Sequence, residues 1–162
     1  MILQGAAVVV RGDNIDTDVL YPGSFLNIDD PAKMAPYLFE GLDPKIREEL
    51  VGDTVLVVDD NFGSGSSREH VPQAIRASGI QCVVGKSFAR IFYRNCFNLG
   101  VPAVVCPAAS AAAKKGSVVT VDTDTGAVTV DGVTFEARPI PGFMLDMLKS
   151  GGLVPWAQKR SA

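Results

Sequence analysis

The sequence predicts an α/β fold with a mostly parallel central sheet and a small antiparallel β element. Buried-strand patterns at 54–58, 80–84 and 102–107 alternate with helix patterns, and strands joined through helices pair in parallel. Further along, short alternating segments are separated by Asp-Gly-type turns at 124–126 and 131–132, which is typical of hairpins. With 162 residues, the chain has the length of a single domain.

Composition excludes several classes of protein. The hydrophobic content of 47% supports a proper core, and the net charge of −3 gives no reason to expect nucleic acid or an anionic membrane as a partner. No apolar run reaches membrane-spanning length, and the N-terminus lacks the basic region of a signal peptide. We therefore expect a cytoplasmic protein.

The cysteines indicate core thiols rather than a metal site. Cys82, Cys96 and Cys106 form no C-x-x-C pair and lie in apolar contexts, where free cysteine behaves as a small hydrophobe. Their spacing is a poor match to zinc or iron–sulfur ligation. We expect no metal to be bound by this chain alone.

The first half of the chain begins with a strand at 2–10 and continues into a long connection. Three aspartates at 13–18 invite comparison with a calcium loop, but the required glutamate at the twelfth position is missing. Asx-type turns in a polar loop are the alternative. Short helices are predicted at 31–38 and 44–50, capped by aspartates. The connection from 11 to 52 is long enough to predict a lid or a binding loop.

The helix after residue 70 has two possible registers. Ser66 could cap it through Glu69, at capping-box spacing. Alternatively, the turn is separate and the helix begins at Pro72, because a proline deep in a helix clashes with the preceding turn. We favour the second register, with Gly79 ending the helix. Three more helices are predicted, at 87–100, 108–115 and 141–150. The first of these is capped by Ser87 and ends at Gly100.

The glycine-rich stretch at 61–70, Asn-Phe-Gly-Ser-Gly-Ser-Ser-Arg-Glu-His, predicts the functional site. Its glycines, among them Gly65, allow positive φ or close approach of a ligand. Unpaired helix-start amides favour an anion, and Arg68 adds a fork suited to carboxylate or phosphate. The stretch therefore predicts a site for an anionic small molecule, with Ser66 or Ser67 close to the ligand.

Other interpretations of these residues stay open. The serines could simply be caps, and a catalytic serine needs a partner that activates it. For His70, the only histidine, a structural hydrogen bond is favoured, since the sequence places no triad aspartate or oxyanion hole. Neither the dinucleotide nor the Walker pattern is met. Arg90 and Arg94 are typical of solvated or ion-paired residues, although 86–94 could form a basic helix start facing the same cavity.

Four segments, in order along the chain, resemble the swivelling β/β/α domain of the aconitase superfamily. They are the glycine-rich stretch at 61–70, the N-terminal aspartate loop at 12–18, the downstream helix at 86–95 and the Gly-Gly-Leu-Val segment at 151–154. Length and pattern are similar to the small-subunit family of 3-isopropylmalate dehydratases. The resemblance covers residues 1–162 as one swivelling domain.

The resemblance implies a hydro-lyase that works with a partner. A large subunit, in a heterodimer or heterotetramer, would hold a [4Fe-4S] cluster that binds the substrate hydroxyl and carboxylate. Ser66 would be the base for the carbon-bound proton, while Ser67 and Arg68 would stabilise the alkoxide and grip a carboxylate. Asp18 matches an active-site aspartate of the family. A 2-substituted malate would become its 3-substituted isomer, as in leucine biosynthesis.

Substrate choice in the resembling family is attributed to the loop that here contains Phe25, Leu26, Asn27 and Ile28. Relatives that act on tricarboxylates tend to carry arginine where Asn27 stands, and asparagine cannot pair with a third carboxylate. The apolar neighbours favour an alkyl substituent, hence isopropylmalate. Tyr21 and Gly23 depart from the family pattern. Alternatives are a homoaconitate, citramalate or dimethylmalate dehydratase subunit, or an anion-binding module without chemistry.

Overall fold

Seven strands form one mixed sheet in the order β4-β3-β2-β1-β5-β6-β7. The structure, a computed structural model, describes residues 1–66 and 68–161. The strands β1 to β7 are Ile2–Val10, Thr54–Val58, Ile80–Gly85, Ala103–Val105, Val118–Asp122, Ala127–Val130 and Val133–Glu136. β1 to β4 are parallel, and β5 to β7 join them as an antiparallel extension. The predicted fold class is confirmed.

The central strand β1 belongs to both parts of the sheet. Its second half pairs in parallel with β2, from Ala6 opposite Thr54 to Val10 opposite Val58. Its first half pairs antiparallel with β5, from Ile2 opposite Asp122 to Ala6 opposite Val118. One strand therefore links a parallel sheet to a hairpin sheet without a break.

Side-chain alternation divides the core between the two faces of the sheet. On β2, Leu56 and Val58 contribute to one buried cluster and Val55 and Val57 to the other, as the two-residue period of a strand requires. The first cluster includes residues from the 11–52 connection and from three helices. The second includes the small residues of one helix and the inner side chains of β5 and β6. Burial on both faces accounts for the continuous apolar run of β2.

Seven α-helices occur in the described residues: α1 to α7 are Thr17–Leu20, Pro31–Met34, His70–Ala77, Arg90–Asn98, Pro107–Ala112, Gly142–Ser150 and Leu153–Ser161. None of the helices in the described residues is long and apolar enough to cross a membrane. Among residues 1–66 and 68–161, the cysteines are all free and buried, as predicted. Burial raises the pKa of the Cys82 thiol to about 12.

The long connection is a packed part of the core rather than a free lid. Leu20, Tyr21, Leu38 and Phe39 are fully buried. The predicted helices at 31–38 and 44–50 form only as α2 followed by the 3-10 turn Ala35–Tyr37, and as the 3-10 helix Pro44–Glu49. Pro36 lacks the amide that would continue α2. Asp30 and Asp43 cap these turns as expected.

The predicted helices also differ from the structure at α4, α5 and α7. α4 begins at Arg90 after Ala89, so Ser87 is not its cap; that hydroxyl instead accepts from the Asn61 amide and donates to Asp60. α5 ends at Ala112, short of residue 115. α7 was not predicted, because Gly151, Gly152 and Pro155 resemble the end of structured chain, although a proline is tolerated in a first helical turn.

Candidate active site

The candidate site lies where β1 and β2 end. These strands are parallel neighbours, so the loops that follow them leave the same edge of the sheet, the usual place for a ligand in such sheets. We call residues 11–18 the aspartate loop and residues 59–69 the glycine-rich loop. They continue the pairing of the strands: the amides of Asn14, Gly63 and Thr17 donate to the carbonyls of residues 60, 15 and 64, at 2.9, 2.8 and 2.8 Å.

Left-handed backbone conformations shape the contact between the loops. Asn14 and Asn61 have φ of 58° and 53°, which asparagine tolerates better than most residues, and the Asn61 side-chain amide donates to Asn14 Oδ1 at 3.0 Å. Gly63 has φ of 84°, and a Cβ there would overlap the ring of Phe92. A glycine is therefore required at this position for both conformation and space.

Asp59, 7% exposed, anchors the start of the glycine-rich loop. Its Oδ2 accepts from the Gly12 amide at 2.8 Å, and its Oδ1 lies 3.1 Å from Arg11 Nη1 and 3.2 Å from Lys86 Nζ. Burial alone would raise the pKa of this carboxyl. The Gly12 amide and the two cations outweigh burial, so the pKa of Asp59 lies below its usual value. The carboxylate thus ties both loops together.

Ser66 is exposed, and its Oγ lies 3.2 Å from Oγ1 of Thr17. Thr17 is almost fully buried at the start of α1. α3 begins at His70 after Glu69, without a side-chain cap. The favoured register, with the turn separate from the helix, is therefore correct in kind, but the predicted start at Pro72 is two residues late. Pro72 fits because first-turn amides need no intrahelical partner.

Arg68 and Asp18 meet directly. Arg68 Nη1 lies 2.5 Å from Asp18 Oδ1 and donates to the Tyr21 carbonyl at 3.1 Å. The arginine side chain is 21% exposed and the aspartate 68% exposed. The guanidinium is thus held in place on the side of the aspartate loop while part of the pair faces solvent. Ser67, the remaining predicted catalytic residue, lies outside the described residues.

His70 makes a hydrogen bond and a ring contact to the loop around Tyr21, the kind of contact that the sequence favours. Its Nε2 lies 3.0 Å from the Leu26 carbonyl oxygen, and its ring stacks on Tyr21 with centroids 5.3 Å apart. The Tyr21 hydroxyl donates to the Phe25 carbonyl at 2.7 Å. Burial, and secondarily Tyr37, raises the pKa of Tyr21. Sequence reasoning missed Tyr21 as the anchor of this loop, because its partners are known only from the fold.

The four predicted substrate-binding residues after Gly23 do not share one environment. Phe25 stacks on Tyr37 at 4.0 Å between centroids, and both Phe25 and Ile28 pack against the core. The side chains of Leu26 and Asn27 are exposed. Leu26 and Asn27 are thus available to a ligand, whereas Phe25 and Ile28 hold the loop in shape.

The basic residues at 86–94 are divided between two places. Lys86 pairs with Asp59, as described above. Arg90 and Arg94 line a groove of about 470 Å³ between α4, α6 and α7, and no described residue of the glycine-rich loop lines it. Of the basic helix start considered above, Lys86 therefore reaches the glycine-rich loop, while Arg90 and Arg94 line a separate groove.

No group of three or more His, Cys, Asp or Glu side chains among residues 1–66 and 68–161 is arranged to hold a metal ion. The cysteines are dispersed between the two core clusters, with Cys96 in one and Cys82 and Cys106 in the other. Burial raises the pKa of all three thiols, which disfavours the thiolate that a metal would need. What the site does present is a hydroxyl and a guanidinium for an anionic ligand.

The fold and this pair of loops define a domain of the aconitase type, and residues 46–109 match the family model of the aconitase C-terminal domain. A solved structure of 3-isopropylmalate dehydratase from Methanocaldococcus jannaschii superposes with a TM-score of 0.92 at 35% identity, covering 99% of this chain and 96% of that one.

Curated relatives extend over nearly the whole chain. The 3-isopropylmalate dehydratase small subunit of Caldanaerobacter subterraneus is 44% identical over 98% of this chain and 99% of its own length. That of Metallosphaera sedula is 42% identical over the full length of both. The 2,3-dimethylmalate dehydratase small subunit of Eubacterium barkeri is 46% identical over 88% of this chain and 89% of its own. The chain belongs to the family of 3-isopropylmalate dehydratase small subunits, within the aconitase superfamily.

Proposed function

We propose that this chain is the small subunit of a 3-isopropylmalate dehydratase. With a large subunit, it would interconvert 2- and 3-isopropylmalate by removing and re-adding water, a hydro-lyase reaction in leucine biosynthesis. One observation carries the proposal: the consecutive residues Thr17 and Asp18 contact Ser66 and Arg68 respectively. A candidate base and a candidate carboxylate grip are thereby held by one short segment, in a chain with full-length relatives of this activity.

In this proposal Ser66 takes the proton from the substrate carbon and returns a proton when water is re-added. Ser67 and Arg68 are assigned to stabilising the negative charge of the alkoxide oxygen. Gly65, proposed to lie against the substrate, has φ of 98°, a conformation that glycine adopts without steric cost. The [4Fe-4S] cluster expected on the large subunit would supply the Lewis acid that binds the substrate hydroxyl and carboxylate.

Arg68 is proposed to hold a substrate carboxylate while keeping its place in the loop. Both of its described contacts, to Asp18 and to the Tyr21 carbonyl, use Nη1. The planar fork of a guanidinium carries five N–H donors. The proposal assigns the substrate carboxylate to Nη2 and Nε, with Asp18 fixing the orientation of the fork.

A partner that carries the cluster is part of the proposal. The dispersed, buried thiols of this chain do not suit cluster ligation, which supports a cluster held by the large subunit, in a heterodimer or heterotetramer. The three free thiols also support a cytoplasmic location, where cysteines stay reduced.

The test is reconstitution with the large subunit and measurement of turnover for wild type and Ser66→Ala. Loss of a general base lowers kcat by about 10²–10⁴-fold, so we expect a fall in that range. Ser64→Ala is the matched control: Ser64 lies in the same loop, and its hydroxyl donates to the Asn14 carbonyl at 3.3 Å. It should change kcat little. Near-normal turnover of Ser66→Ala would refute the base assignment, and a complex inactive on all alkylmalates would support an anion-binding module.

A second candidate substrate is 2,3-dimethylmalate, because the 2,3-dimethylmalate dehydratase small subunit of Eubacterium barkeri is 46% identical over 88% of this chain. Kinetic comparison of isopropylmalate, dimethylmalate, citramalate and homoaconitate on the reconstituted pair decides between them. The highest kcat/KM identifies the substrate, and isopropylmalate is the expected result.

Asn27→Arg tests the proposed role of the exposed loop residue. A new pair with a third carboxylate is worth about 1.5–3 kcal/mol, so kcat/KM for a tricarboxylate relative to isopropylmalate should rise at least about tenfold. Asn27→Gln, which adds length without charge, should leave the ratio unchanged. An unchanged ratio in Asn27→Arg would remove Asn27 from substrate selection.

A further inference from the structure

Thr17 is a buried hydroxyl directed at the candidate base. It is 1% exposed, and its Oγ1 lies 3.2 Å from Ser66 Oγ. We infer that Thr17 is a positioning residue for Ser66: its hydroxyl donates to Ser66 Oγ, holds that oxygen in place and stabilises its deprotonated form. This inference rests on the proposed function, in which Ser66 is the base.

The backbone of Thr17 is fixed on both sides, so its hydroxyl cannot drift. Its amide donates to the Ser64 carbonyl at 2.8 Å, and its carbonyl accepts from the Tyr21 amide at 2.9 Å. The preceding Asp16 caps α1 through the amides of Asp18 and Val19. A β-branched side chain also has few χ1 rotamers. The hydroxyl is therefore delivered to Ser66 by a rigid segment.

Gly65 brings the glycine-rich loop close to this hydroxyl. A Cβ at Gly65 would lie 3.4 Å from Thr17 Oγ1 and 3.5 Å from the Asp16 Cβ. The residue also has φ of 98°, which a larger side chain rarely adopts. The close approach brings the exposed Ser66 beside the buried Thr17.

The chemical need for such a donor follows from the weakness of a serine as a base. A serine is activated only by a neighbouring group, and a hydrogen bond to the charged form lowers the pKa of an acid. Thr17 is on the dry side of Ser66, where a hydrogen bond is worth more than in water. When Ser66 accepts the proton from the substrate carbon, Thr17 keeps its own proton and the same contact. It therefore takes part in no net proton transfer.

The experiment compares Thr17→Val and Thr17→Ser in the reconstituted complex. Thr17→Val removes the hydroxyl and nearly keeps the shape, so kcat should fall about tenfold or more, as for a lost bond to a charged group, while KM changes little. Thr17→Ser retains the hydroxyl and should keep most of kcat. Thermal unfolding of both variants reports any loss of folding. If Thr17→Val does not fold, Thr17→Ala replaces it in the comparison with serine.

The double variant Ser66→Ala/Thr17→Val separates positioning from a general structural effect. If Thr17 acts through Ser66, adding Thr17→Val to Ser66→Ala causes no further loss of kcat. Three results would overturn this inference and leave the proposed function standing. They are a wild-type kcat in Thr17→Val, a loss of kcat in Thr17→Ser as large as that in Thr17→Val, and a loss from Thr17→Val that is as large in the Ser66→Ala background as in wild type. A wild-type pair inactive on every alkylmalate, or an unaffected Ser66→Ala, would instead overturn the proposed function and the inference with it.

Discussion

The two halves of the sheet share β1 but differ in what their strand ends can build. In the parallel half, β1 and β2 end at the same edge, and the two loops pair across 49 residues of sequence to bring Thr17 to Ser66. In the antiparallel half, consecutive strands end at opposite edges and are joined by tight turns at 124–126 and 131–132. The difference explains why the residues of the candidate site cluster in one half: parallel neighbours bring the loops that follow them to the same edge of the sheet.

Gly63→Ala and Gly132→Ala compare a loop of the parallel half with a turn of the antiparallel half. Their φ values are similar, 84° and 86°, but a Cβ at Gly63 would overlap Phe92 whereas a Cβ at Gly132 meets nothing within 4 Å. Both variants should lose about 1–2 kcal/mol from left-handed backbone strain. Gly63→Ala should lose about 1–3 kcal/mol more from overpacking, and its loop displacement should also lower activity.

Urea unfolding measures this pair of variants. Equal losses would mean that Phe92 moves aside at little cost, and the packing contrast between the two halves would then be wrong. Turnover of Gly132→Ala in the reconstituted complex should equal wild type, since that turn joins β6 and β7 in the antiparallel half of the sheet.

Asp59→Asn and Asp124→Asn compare the ionic contacts of the two halves, with a smaller expected effect. Asp59 is buried between Arg11 and Lys86, so its neutralisation should cost about 1–3 kcal/mol, the range for an unsatisfied buried polar contact. Asp124 contacts the N-terminal amine and Lys149 on the surface, and exposed pairs contribute little. Urea midpoints at pH 7 should therefore separate the two variants.

The pH dependence of this pair follows from the lowered pKa of Asp59. The unfolded chain binds the proton more readily, so the stabilisation is present above the unfolded pKa of about 3.9 and is lost as pH falls through the lower folded pKa. The gap in unfolding free energy between wild type and Asp59→Asn should narrow below about pH 4. A gap that stays constant down to pH 2 would show that the charge of Asp59 is not what stabilises the loops.

Local patterns predicted the hairpin half and the strands well, because turns and alternation are properties of neighbouring residues. The parallel sheet followed from the strand–helix–strand order. The start of α4 was not predicted correctly, because the Ser87 hydroxyl bonds to Asp60 and Asn61 and does not cap the helix. α7 was missed because its glycines and proline resemble a chain end.

The candidate site was predicted only in part, for the same physical reason. Ser66 and Arg68 stand in one recognisable stretch, but their described partners come from the aspartate loop and from Tyr21. Thr17 lies within the segment 12–18 that resembles the N-terminal loop of the family, but the residues next to it in the sequence do not indicate that its hydroxyl contacts Ser66. Likewise, only the fold separates the packed Phe25 from the exposed Asn27.

The pairing of the aspartate loop with the glycine-rich loop also sets the order in which the site can mature during folding. Closing a connection of this length carries an entropic cost before any contact is gained, and non-local contacts of this kind form slowly. A nascent chain can arrange Ser66 and Arg68 only after β2 has joined β1. A fragment beginning at β2 would retain both residues and lose Thr17, Asp18 and Tyr21, the groups that orient them.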